Sequence, residues 1–564
     1  MLSHPHRSHP FRLSRGLQIL LGLVILLQLI APFFAKTDGV DASHLIWWNS
    51  RFWLMLKSGI LFPHWINDSF GGLGAPALYF YPPMMFYESA IVQMLTGISD
   101  ASQLFQLTGL LATIGSYFSA KLLLDHISAS RWQAMVGAAL FAFAPFRIAE
   151  LYNRSGSAHF GYAFFPLVWY AILLLHESDS NSRQKGIILL AVSCALICLS
   201  NIPLTVLTVV TMVLGGLAQW EKLRWRLIRD VIFGGVLSIL LVAFFLIPIF
   251  QYRSYSHLEQ VWLVNGQSRD PGYFIDLFLH GRDLGALYHI GLIYIGIGAV
   301  GFLTVRWLSD MKSLSPQESR GIRVAAMICS AIVFLQIPVV SLPIWEHVPG
   351  FDLIQGGWRF YIDVVILVSI LVAVARHTFM QRAMTFVATI WALGSIYPIF
   401  LVMLHIHPSK HFDGRPNFDA PEYASVFTKF VVSATLEDLV DRHASEPELL
   451  PWGNITPSES FLAHPRLATS QTLDLNFTQP HRVTFHRSYW PAWHLYVPDS
   501  QLKVWPDSIG RMVADLPSGK YTAEWRLQKS WQERAGYWIS GLTLLGMMLC
   551  SGIGRYRRGV KGTR

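Results

Sequence analysis

The sequence predicts an all-α polytopic membrane protein with a small β-rich domain near its C-terminus. Of the 564 residues, 52% are hydrophobic and only 14% are charged, whereas soluble domains carry roughly 25% charged residues. Apolar stretches long enough to cross a bilayer recur through the first 404 residues. Between 405 and 536, charged residues, prolines and alternating strand-like runs replace them.

Thirteen apolar windows are long enough, or nearly so, to span a membrane. They lie near 17–35, 79–97, 104–124, 131–148, 159–177, 186–200, 204–219, 231–250, 286–306, 323–341, 358–376, 383–404 and 537–553. Basic residues in the short loops and at both ends predict cytoplasmic termini, which requires an even number of crossings. We therefore expect about 12 transmembrane helices. Window 79–97, which contains Pro82, Pro83 and Glu88, is expected to lie along the outer interface instead.

The net charge of +9 does not indicate nucleic-acid binding. The basic residues are distributed over short loops between apolar windows and over both termini, which is the pattern of membrane topology. Many of the 20 tryptophans lie near the ends of the windows, where interfacial aromatic belts form. We therefore expect membrane lipids as partners, and no nucleic acid.

Composition divides the chain into three parts. Residues 1–404 form a transmembrane domain with a large first outer loop, 36–84. Residues 405–536 form an extracytoplasmic β-rich domain, with strands expected around 482–486 and 521–525 and turns at 499–500 and 517–520. Residues 537–564 form the last transmembrane helix and a basic cytoplasmic tail.

Two carboxylates, Asp38 and Asp41, follow the first apolar stretch, and His44 stands three residues after Asp41. Carboxylates at the mouth of a membrane helix indicate chemistry at the interface, because they are costly to hold near lipid. Such groups act as a general base or bind a divalent cation such as Mg²⁺ or Mn²⁺. The alternative is structural: Asp38 caps a short interfacial helix and Asp41 is solvated.

The rest of the first outer loop is rich in glycine, proline and aromatic residues. Glycines at 71–74 permit close backbone approach, and prolines at 76–83 stiffen the return of the chain. Trp65 and Tyr81 are candidates for stacking on a sugar ring. The same side chains equally fit anchoring of the loop among lipid headgroups.

A second candidate region runs from 144 to 159 between two apolar windows. It carries Arg147 and Arg154, whose guanidinium groups are suited to bind a phosphate through two parallel hydrogen bonds. The alternative is an ordinary basic loop beside headgroups. We treat both arginines as candidate phosphate ligands.

A third candidate region leads into the window that begins at 358. It contains Gln355, Trp358 and Arg359, followed four residues later by Asp363. Charges in the first turns of a membrane span usually serve a site or pair with each other. Arg359 and Gln355 are therefore candidate ligands of a phosphate-bearing substrate, and an Arg359–Asp363 pair that orders the helix start is the alternative.

The first outer loop, residues 145–166, the Gln-x-x-Trp-Arg-Phe element at 355–360 and the tail segment 486–493 together resemble a known group of membrane proteins. They look like the YfhO-like, 6-pyruvoyl-tetrahydropterin-synthase-related branch of bacterial integral membrane proteins in the GT-C glycosyltransferase superfamily. The resemblance covers most of the chain. It implies a GT-C-like fold located in the bacterial inner membrane.

The resemblance also implies an activity. Members of the superfamily transfer a sugar from a polyprenyl-phosphate carrier to a glycan, lipid or protein acceptor at the outer face of the cytoplasmic membrane. By this analogy, Asp41 or Asp38 serves as base or metal ligand, and Arg359 and Arg154 hold the phosphate of the donor.

One position departs from the superfamily pattern. A second outer loop in these enzymes usually brings an acidic residue to the site, but His159 stands where that residue is expected. Glu150, nearby in the same region, is the candidate substitute.

A second function from a different class fits the same composition. The chain could be a non-catalytic transporter or flippase for lipid-linked glycans, or a partner subunit. Transporters tend to contain paired, interrupted helices in matching halves, and the sequence shows no such symmetry. Net translocation without chemistry would favour this alternative.

Overall fold

The computed structural model describes residues 15–34, 42–67, 69, 73–128, 130–219, 224–256, 284–309, 314–348, 351–354, 357–403, 470–507 and 510–562. Asp38, Asp41 and Gln355 lie outside the described residues, so their assignments stay predictions. The predicted boundaries near 404 and 536 also stay predictions, because residues 404–469 lie outside this part.

The described helices, in chain order, are α1 (Arg15–Phe34), α2 (Ala42–Lys57), α3 (Ala77–Phe80), α4 (Met84–Thr96), α5 (Ala101–Ile127), α6 (Arg131–Ala142), α7 (Pro145–Ala149), α8 (Ala158–Gly161), α9 (Phe165–His176), α10 (Ser180–Ser200), α11 (Ile202–Leu217), α12 (Trp225–Leu241), α13 (Ala243–Tyr252), α14 (Leu284–Ser309), α15 (Pro316–Leu335), α16 (Pro338–His347), α17 (Tyr361–Val374), α18 (Thr378–Met403) and α19 (Trp531–Gly562). A π-helical turn covers Glu150–Arg154, and 3₁₀ turns cover Arg253–Tyr255, Phe351–Ile354 and Gly357–Phe360. The strands are β1 (Ser470–Phe477), β2 (His481–Ser488), β3 (Trp493–Val497), β4 (Ser500–Leu502), β5 (Trp505–Pro506), β6 (Arg511–Leu516) and β7 (Gly519–Leu527).

Within the described residues, 8 helical segments are long and apolar enough to cross a membrane, or up to 10 if two interrupted helix pairs each count as one span. The predicted helical membrane protein with a small β domain is confirmed, with fewer spans in this part than the 12 expected from the whole sequence. Window 79–97 is divided by the Tyr81–Pro83 segment. Its longer piece, α4, has 13 residues, fewer than the roughly 20 that a crossing needs.

The chain forms two compact units. The first comprises Met1–Ala42, Tyr87–Ile239 and Asn265–Lys410, and the second comprises Ser43–Phe86, Leu240–Val264 and His411–Arg564.

Helix α17 is central to the first unit. Every residue of α17 except Ile370 is buried, as expected of a helix that is apolar all round. It packs against α6, α14 and α15. Gly137 of α6 allows the closest approach, because a Cβ atom there would lie 2.8 Å from the carbonyl oxygen of Ser369 in α17. Small residues at such crossings let membrane helices pack backbone to backbone.

The second unit contains the β domain. Its strands form two antiparallel sheets, one of four strands in the order β1-β7-β3-β4 and one of three in the order β2-β6-β5. The strands predicted at 482–486 and 521–525 lie within β2 and β7. In β7 the alternate residues Ala523 and Trp525 are buried, and Phe485 of β2 meets Trp525 edge-on at 4.9 Å.

Part of the segment predicted to be the first outer loop shares a core with the β domain within this second unit. Trp65, Tyr79 and Phe80 of the loop are buried in the same cluster as the inward-facing strand residues and Trp490. The backbone N–H of Ser488 donates to the carbonyl oxygen of Leu73 at 2.8 Å. The described residues of this segment from 43 onward therefore belong to the second unit.

Candidate functional site

Two arginines from separate regions of the first unit meet at one tryptophan ring. The guanidinium carbon of Arg154 lies 4.4 Å from the ring centroid of Trp358, and that of Arg359 lies 4.6 Å from it. The Arg154 side chain is 30% exposed, whereas Arg359 is only 4% exposed. Stacking on an aromatic face holds each guanidinium plane in place. We name Arg154, Trp358 and Arg359 the arginine–tryptophan cluster.

The backbone that carries Arg154 is irregular. Residues Glu150–Arg154 form a π-helical turn, and Ser155 ends it with φ 60°, in the left-handed region. Both features are unfavourable locally and tend to occur at functional sites. Gly156 makes room for the acid of this turn, since a Cβ atom there would lie 2.3 Å from Glu150 Oε1. Glu150 is 3% exposed and its Oε1 lies 3.9 Å from Arg154 Nε.

Arg147 is fully buried close to the same turn. Its guanidinium group donates to the carbonyl oxygens of Phe141 and His159 over 3.5 Å each, and it lies over the rings of Phe141 and Tyr162 at 5.0 and 5.6 Å. None of the described carboxylates lies within 4.0 Å of it. A buried cation held only by long neutral contacts contributes positive potential to its surroundings.

Tyr162 lies among these charges, and sequence reasoning did not identify it. The side chain is 1% exposed and is close enough to Glu150, Arg154 and Arg359 to interact with each electrostatically. Its ring is 6.0 Å from that of Phe146. No pattern in the sequence distinguishes Tyr162 from other aromatic residues of the apolar windows.

His159 is a packed core histidine. Its Nδ1 lies 3.2 Å from the carbonyl oxygen of Arg147, and its Nε2 lies 3.1 Å from both the Gly109 carbonyl oxygen and the Thr113 hydroxyl. These contacts connect α8 to α5 and α7. Both ring nitrogens of His159 therefore already have partners within the protein. Among the described acidic residues, Glu150 is the one within 4.0 Å of Arg154.

The alternative assigned to Arg359 from the sequence does not occur. Asp363 accepts a hydrogen bond from the Thr211 hydroxyl at 3.0 Å instead of pairing with Arg359. Arg359 lies in the 3₁₀ turn Gly357–Phe360, whereas Asp363 lies in the first turn of α17, so the two residues do not belong to one continuous α-helix.

The remaining described candidates lie in the second unit. His44 is in the first turn of α2, with its ring 5.0 Å from that of Trp48, and Trp48 meets Tyr81 edge-on at 5.3 Å. Trp65 is 3% exposed and packs near the rings of Trp490 and Trp493. This burial favours a packing role for Trp65, and its role in substrate binding stays a prediction.

A second group of polar side chains is buried at the start of α19, ahead of the apolar stretch 537–553. Glu533 is fully buried, accepts from the Ser530 N–H at 2.6 Å and from the Tyr252 hydroxyl at 3.3 Å, and lies 3.9 Å from His64 Nδ1. Ser530 in turn accepts from the Glu533 N–H, completing a capping box. Burial raises the pKa of Glu533.

His64 provides a prediction about pH. Burial and the positive charge of Lys529 lower the pKa of His64 from 6.5 to about 3. As the pH falls, His64 is therefore protonated in the unfolded chain before it is protonated in the folded protein. The stability that neutral His64 contributes above pH 6.5 is lost between pH 6.5 and 3. We expect the free energy of unfolding of wild type, relative to the variant His64→Phe, to fall by up to about 1.4 kcal/mol per pH unit in that range.

The measurement is chemical unfolding of purified protein in detergent at pH 8, 6.5 and 5. Phenylalanine keeps the ring that stacks on Tyr79 at 4.3 Å but cannot be protonated. The control is His481→Phe, because His481 is exposed and stacks on Phe477. A difference between wild type and His64→Phe that stays constant with pH would contradict the buried neutral histidine.

The structure thus brings together three of the predicted residues, Arg147, Arg154 and Arg359, in the first unit. His44, Trp65 and Tyr81 lie in the second unit, and the acidic pair and Gln355 lie outside the described residues. Among the described residues no group of three or more histidine, cysteine or acidic side chains could hold a metal ion. Trp358, though part of the Gln-x-x-Trp-Arg-Phe element, was given no role from sequence.

Several solved structures resemble the chain in part. Arabinofuranosyltransferase AftD from Mycobacteria is 14% identical with a TM-score of 0.41, covering 70% of this chain and 27% of AftD. Oligosaccharyltransferase AglB from Archaeoglobus fulgidus, in complex with an inhibitory peptide and a dolichol-phosphate, is 12% identical with a TM-score of 0.42, covering 69% and 55%. ArnT from Cupriavidus metallidurans, bound to undecaprenyl phosphate, is 13% identical with a TM-score of 0.29, covering 88% and 97%. The chain thus spans less than two thirds of AftD and of AglB.

No curated protein is significantly similar to the chain. Residues 78–409, more than half of the sequence, match a protein family. The matched range includes the π-helical turn, the arginine–tryptophan cluster and most helices of the first unit. The chain belongs to the family of membrane proteins described by the 6-pyruvoyl-tetrahydropterin synthase related domain.

Proposed function

We propose that this protein is a membrane glycosyltransferase. It transfers a sugar from a polyprenyl-phosphate-linked donor to a glycan, lipid or protein acceptor at the outer face of the cytoplasmic membrane. The observation that carries the proposal is the meeting of Arg154 and Arg359 on one indole ring. The sequence resemblance to GT-C enzymes supports the same class of reaction.

Two guanidinium groups at one ring favour an anionic ligand. Like charges repel, and the repulsion grows where the surroundings exclude water. Glu150, whose Oε1 lies 3.9 Å from Arg154 Nε, offsets part of this repulsion. A phosphate placed between the two guanidinium groups would offset more of it, since its oxygens match them in geometry. The full burial of Arg147 in the same region adds to the positive potential.

The position of the cluster suits a lipid phosphate. Arg154 lies between the candidate spans Arg131–Tyr152 and Ala158–His176, and Arg359 lies in the first residues of the candidate span Gly357–Val374. Charges at span ends lie at the depth of lipid headgroups. The phosphate of a polyprenyl carrier would lie at this depth, with its isoprenoid chain along the apolar helices.

The proposed reaction is an inverting displacement. The acceptor hydroxyl attacks the anomeric carbon of the sugar, the bond from that carbon to the phosphate oxygen breaks, and polyprenyl phosphate leaves. Asp41 or Asp38 takes the hydroxyl proton, with His44 close by in the chain. Arg154 and Arg359 stabilise the charge that develops on the departing phosphate.

A divalent cation is compatible with the acidic pair. Carboxylate oxygens are the ligands that Mg²⁺ and Mn²⁺ prefer, so Asp38 and Asp41 would hold such an ion. When bound, it would supply positive charge to balance the leaving phosphate.

One observation favours the alternative of a transporter or partner subunit. Two helix pairs, Trp225–Leu241 with Ala243–Tyr255 and Pro316–Leu335 with Val339–His347, are interrupted by short breaks. Interrupted helices often form transport sites, although they also occur where a loop enters the membrane.

The deciding experiment uses full-length protein in liposomes with a panel of short polyprenyl-phosphate-linked sugars. The proposal expects release of polyprenyl phosphate and appearance of the sugar on an acceptor, or on water where none is present. Movement of the intact lipid between leaflets without release of polyprenyl phosphate would establish the transporter alternative and overturn the proposal.

A further inference from the structure

A glutamine with a polar environment of its own lies at the end of an apolar span in the first unit. Gln336 directly follows α15 and is 1% exposed. Its side-chain oxygen accepts hydrogen bonds from the hydroxyls of Tyr294 in α14, at 2.8 Å, and Tyr361 in α17, at 3.0 Å. Two helices and the residue that ends a third therefore contribute to one buried polar group.

These two hydrogen bonds fix the orientation of the amide. Because the oxygen faces both tyrosines, the Nε2 group points away from them, and it has no hydrogen-bond partner among the described residues. A buried amide nitrogen without an acceptor is unfavourable, since it has lost its hydrogen bonds to water. A ligand that supplies acceptor oxygens would remove this penalty.

The glutamine is connected to the arginine–tryptophan cluster through one aromatic ring. The ring of Phe146 lies 6.2 Å from that of Trp358 and 6.1 Å from that of Tyr361. Tyr361 itself follows Arg359 by two residues. The polar group therefore lies beside the proposed phosphate site rather than in a separate part of the unit.

The chemistry of this group suits a hydroxylated, uncharged ligand. The amide offers two N–H donors, and each tyrosine hydroxyl, whose proton is donated to the glutamine oxygen, can still accept a hydrogen bond. Phe146 presents an apolar ring beside Tyr361 and Trp358. Sites that recognise substrate hydroxyls combine a few fixed polar groups with apolar walls of this kind.

We infer that Gln336, oriented by Tyr294 and Tyr361, forms a subsite that binds hydroxyl groups of the donor's sugar. This inference rests on the proposed function and assigns its sugar recognition. The phosphate of the donor would lie at Arg154 and Arg359, and the sugar would extend past Phe146 to Gln336.

The test compares the affinity of the full-length protein for polyprenyl phosphate with its affinity for each sugar-bearing form that the wild type uses. The variant Gln336→Met, similar in length, should weaken binding of the sugar-bearing lipid about tenfold and leave binding of the sugar-free lipid unchanged. Gln336→Glu keeps an acceptor for both tyrosines but lacks the N–H donors. It should show the same selective loss of affinity for the sugar-bearing lipid, and it replaces Gln336→Met if that variant does not fold. Arg359→Gln should weaken binding of both lipids.

Gln133→Met is the matched control. Gln133 is also a buried glutamine, 2% exposed, but its amide nitrogen already donates to the carbonyl oxygens of Val372 and Ala375. Gln133→Met should therefore leave the ratio of the two lipid affinities as it is in the wild type. Unchanged affinities in the Gln336 variants, or equal loss for both lipids, would overturn the subsite alone. A wild-type protein that binds neither lipid would overturn the proposed function together with the subsite.

Discussion

Replacing Arg359 with Gln is expected to lower the rate of sugar transfer about 10²-fold. The change removes one of the two guanidinium groups at Trp358, and with it the charge that would stabilise the departing phosphate. Arg359→Lys should retain part of the activity, because lysine keeps the charge but not the planar fork. The measurement is release of polyprenyl phosphate by purified protein, with thermal unfolding recorded for each variant.

The control for this prediction is Arg482→Gln in the β domain. Arg482 also lies over a tryptophan ring, that of Trp505 at 5.4 Å, but its side chain is 68% exposed and it pairs with Asp515 at 2.9 Å. Exposed pairs of this kind contribute little to stability, so activity should be unchanged. Full activity of folded Arg359→Gln would exclude Arg359 from the phosphate site.

Much of the fold follows from local sequence patterns. Alternating residues at 482–486 and 521–525 predict strands because the pleat places every second side chain in the core, and β2 and β7 form there. Hydropathy alone joins 79–97 into one window. The structure divides it because Pro82 and Pro83 lack the N–H groups that a continuous helix needs.

The site was only partly predictable, because its geometry depends on irregular backbone. Arg154 and Arg359 are recognisable as charges at span ends, but their meeting at Trp358 depends on a π-helical turn and a 3₁₀ turn that no hydropathy pattern indicates. The spacing of Arg359 and Asp363 suggested a pair, but Arg359 lies in the 3₁₀ turn and Asp363 accepts from Thr211 instead. The sequence marks Gln336 in one way only, as a polar residue between Leu335 and Ile337 inside the apolar window 323–341.

Asp41→Asn and Asp38→Asn are each expected to abolish sugar transfer while leaving the protein inserted in the membrane. An amide can neither accept the acceptor's proton nor give a divalent ion a charged ligand. The control is Asp100→Asn. Asp100 caps α5 by accepting from the Gln103 N–H at 2.6 Å, and asparagine caps helices about equally well, so activity and folding should both persist.

The two roles open to the acidic pair predict different behaviour. If Asp41 or Asp38 is a general base, transfer by wild type should continue after treatment with a chelator and should decline as the pH falls through the pKa of that carboxyl. If the pair holds Mg²⁺ or Mn²⁺, chelation should stop transfer and either ion should restore it. Full activity of both Asn variants would remove the pair from the site in either role. Sugar transfer at Arg154 and Arg359 would then need a different general base. Glu150, 3.9 Å from Arg154, is the first side chain to replace.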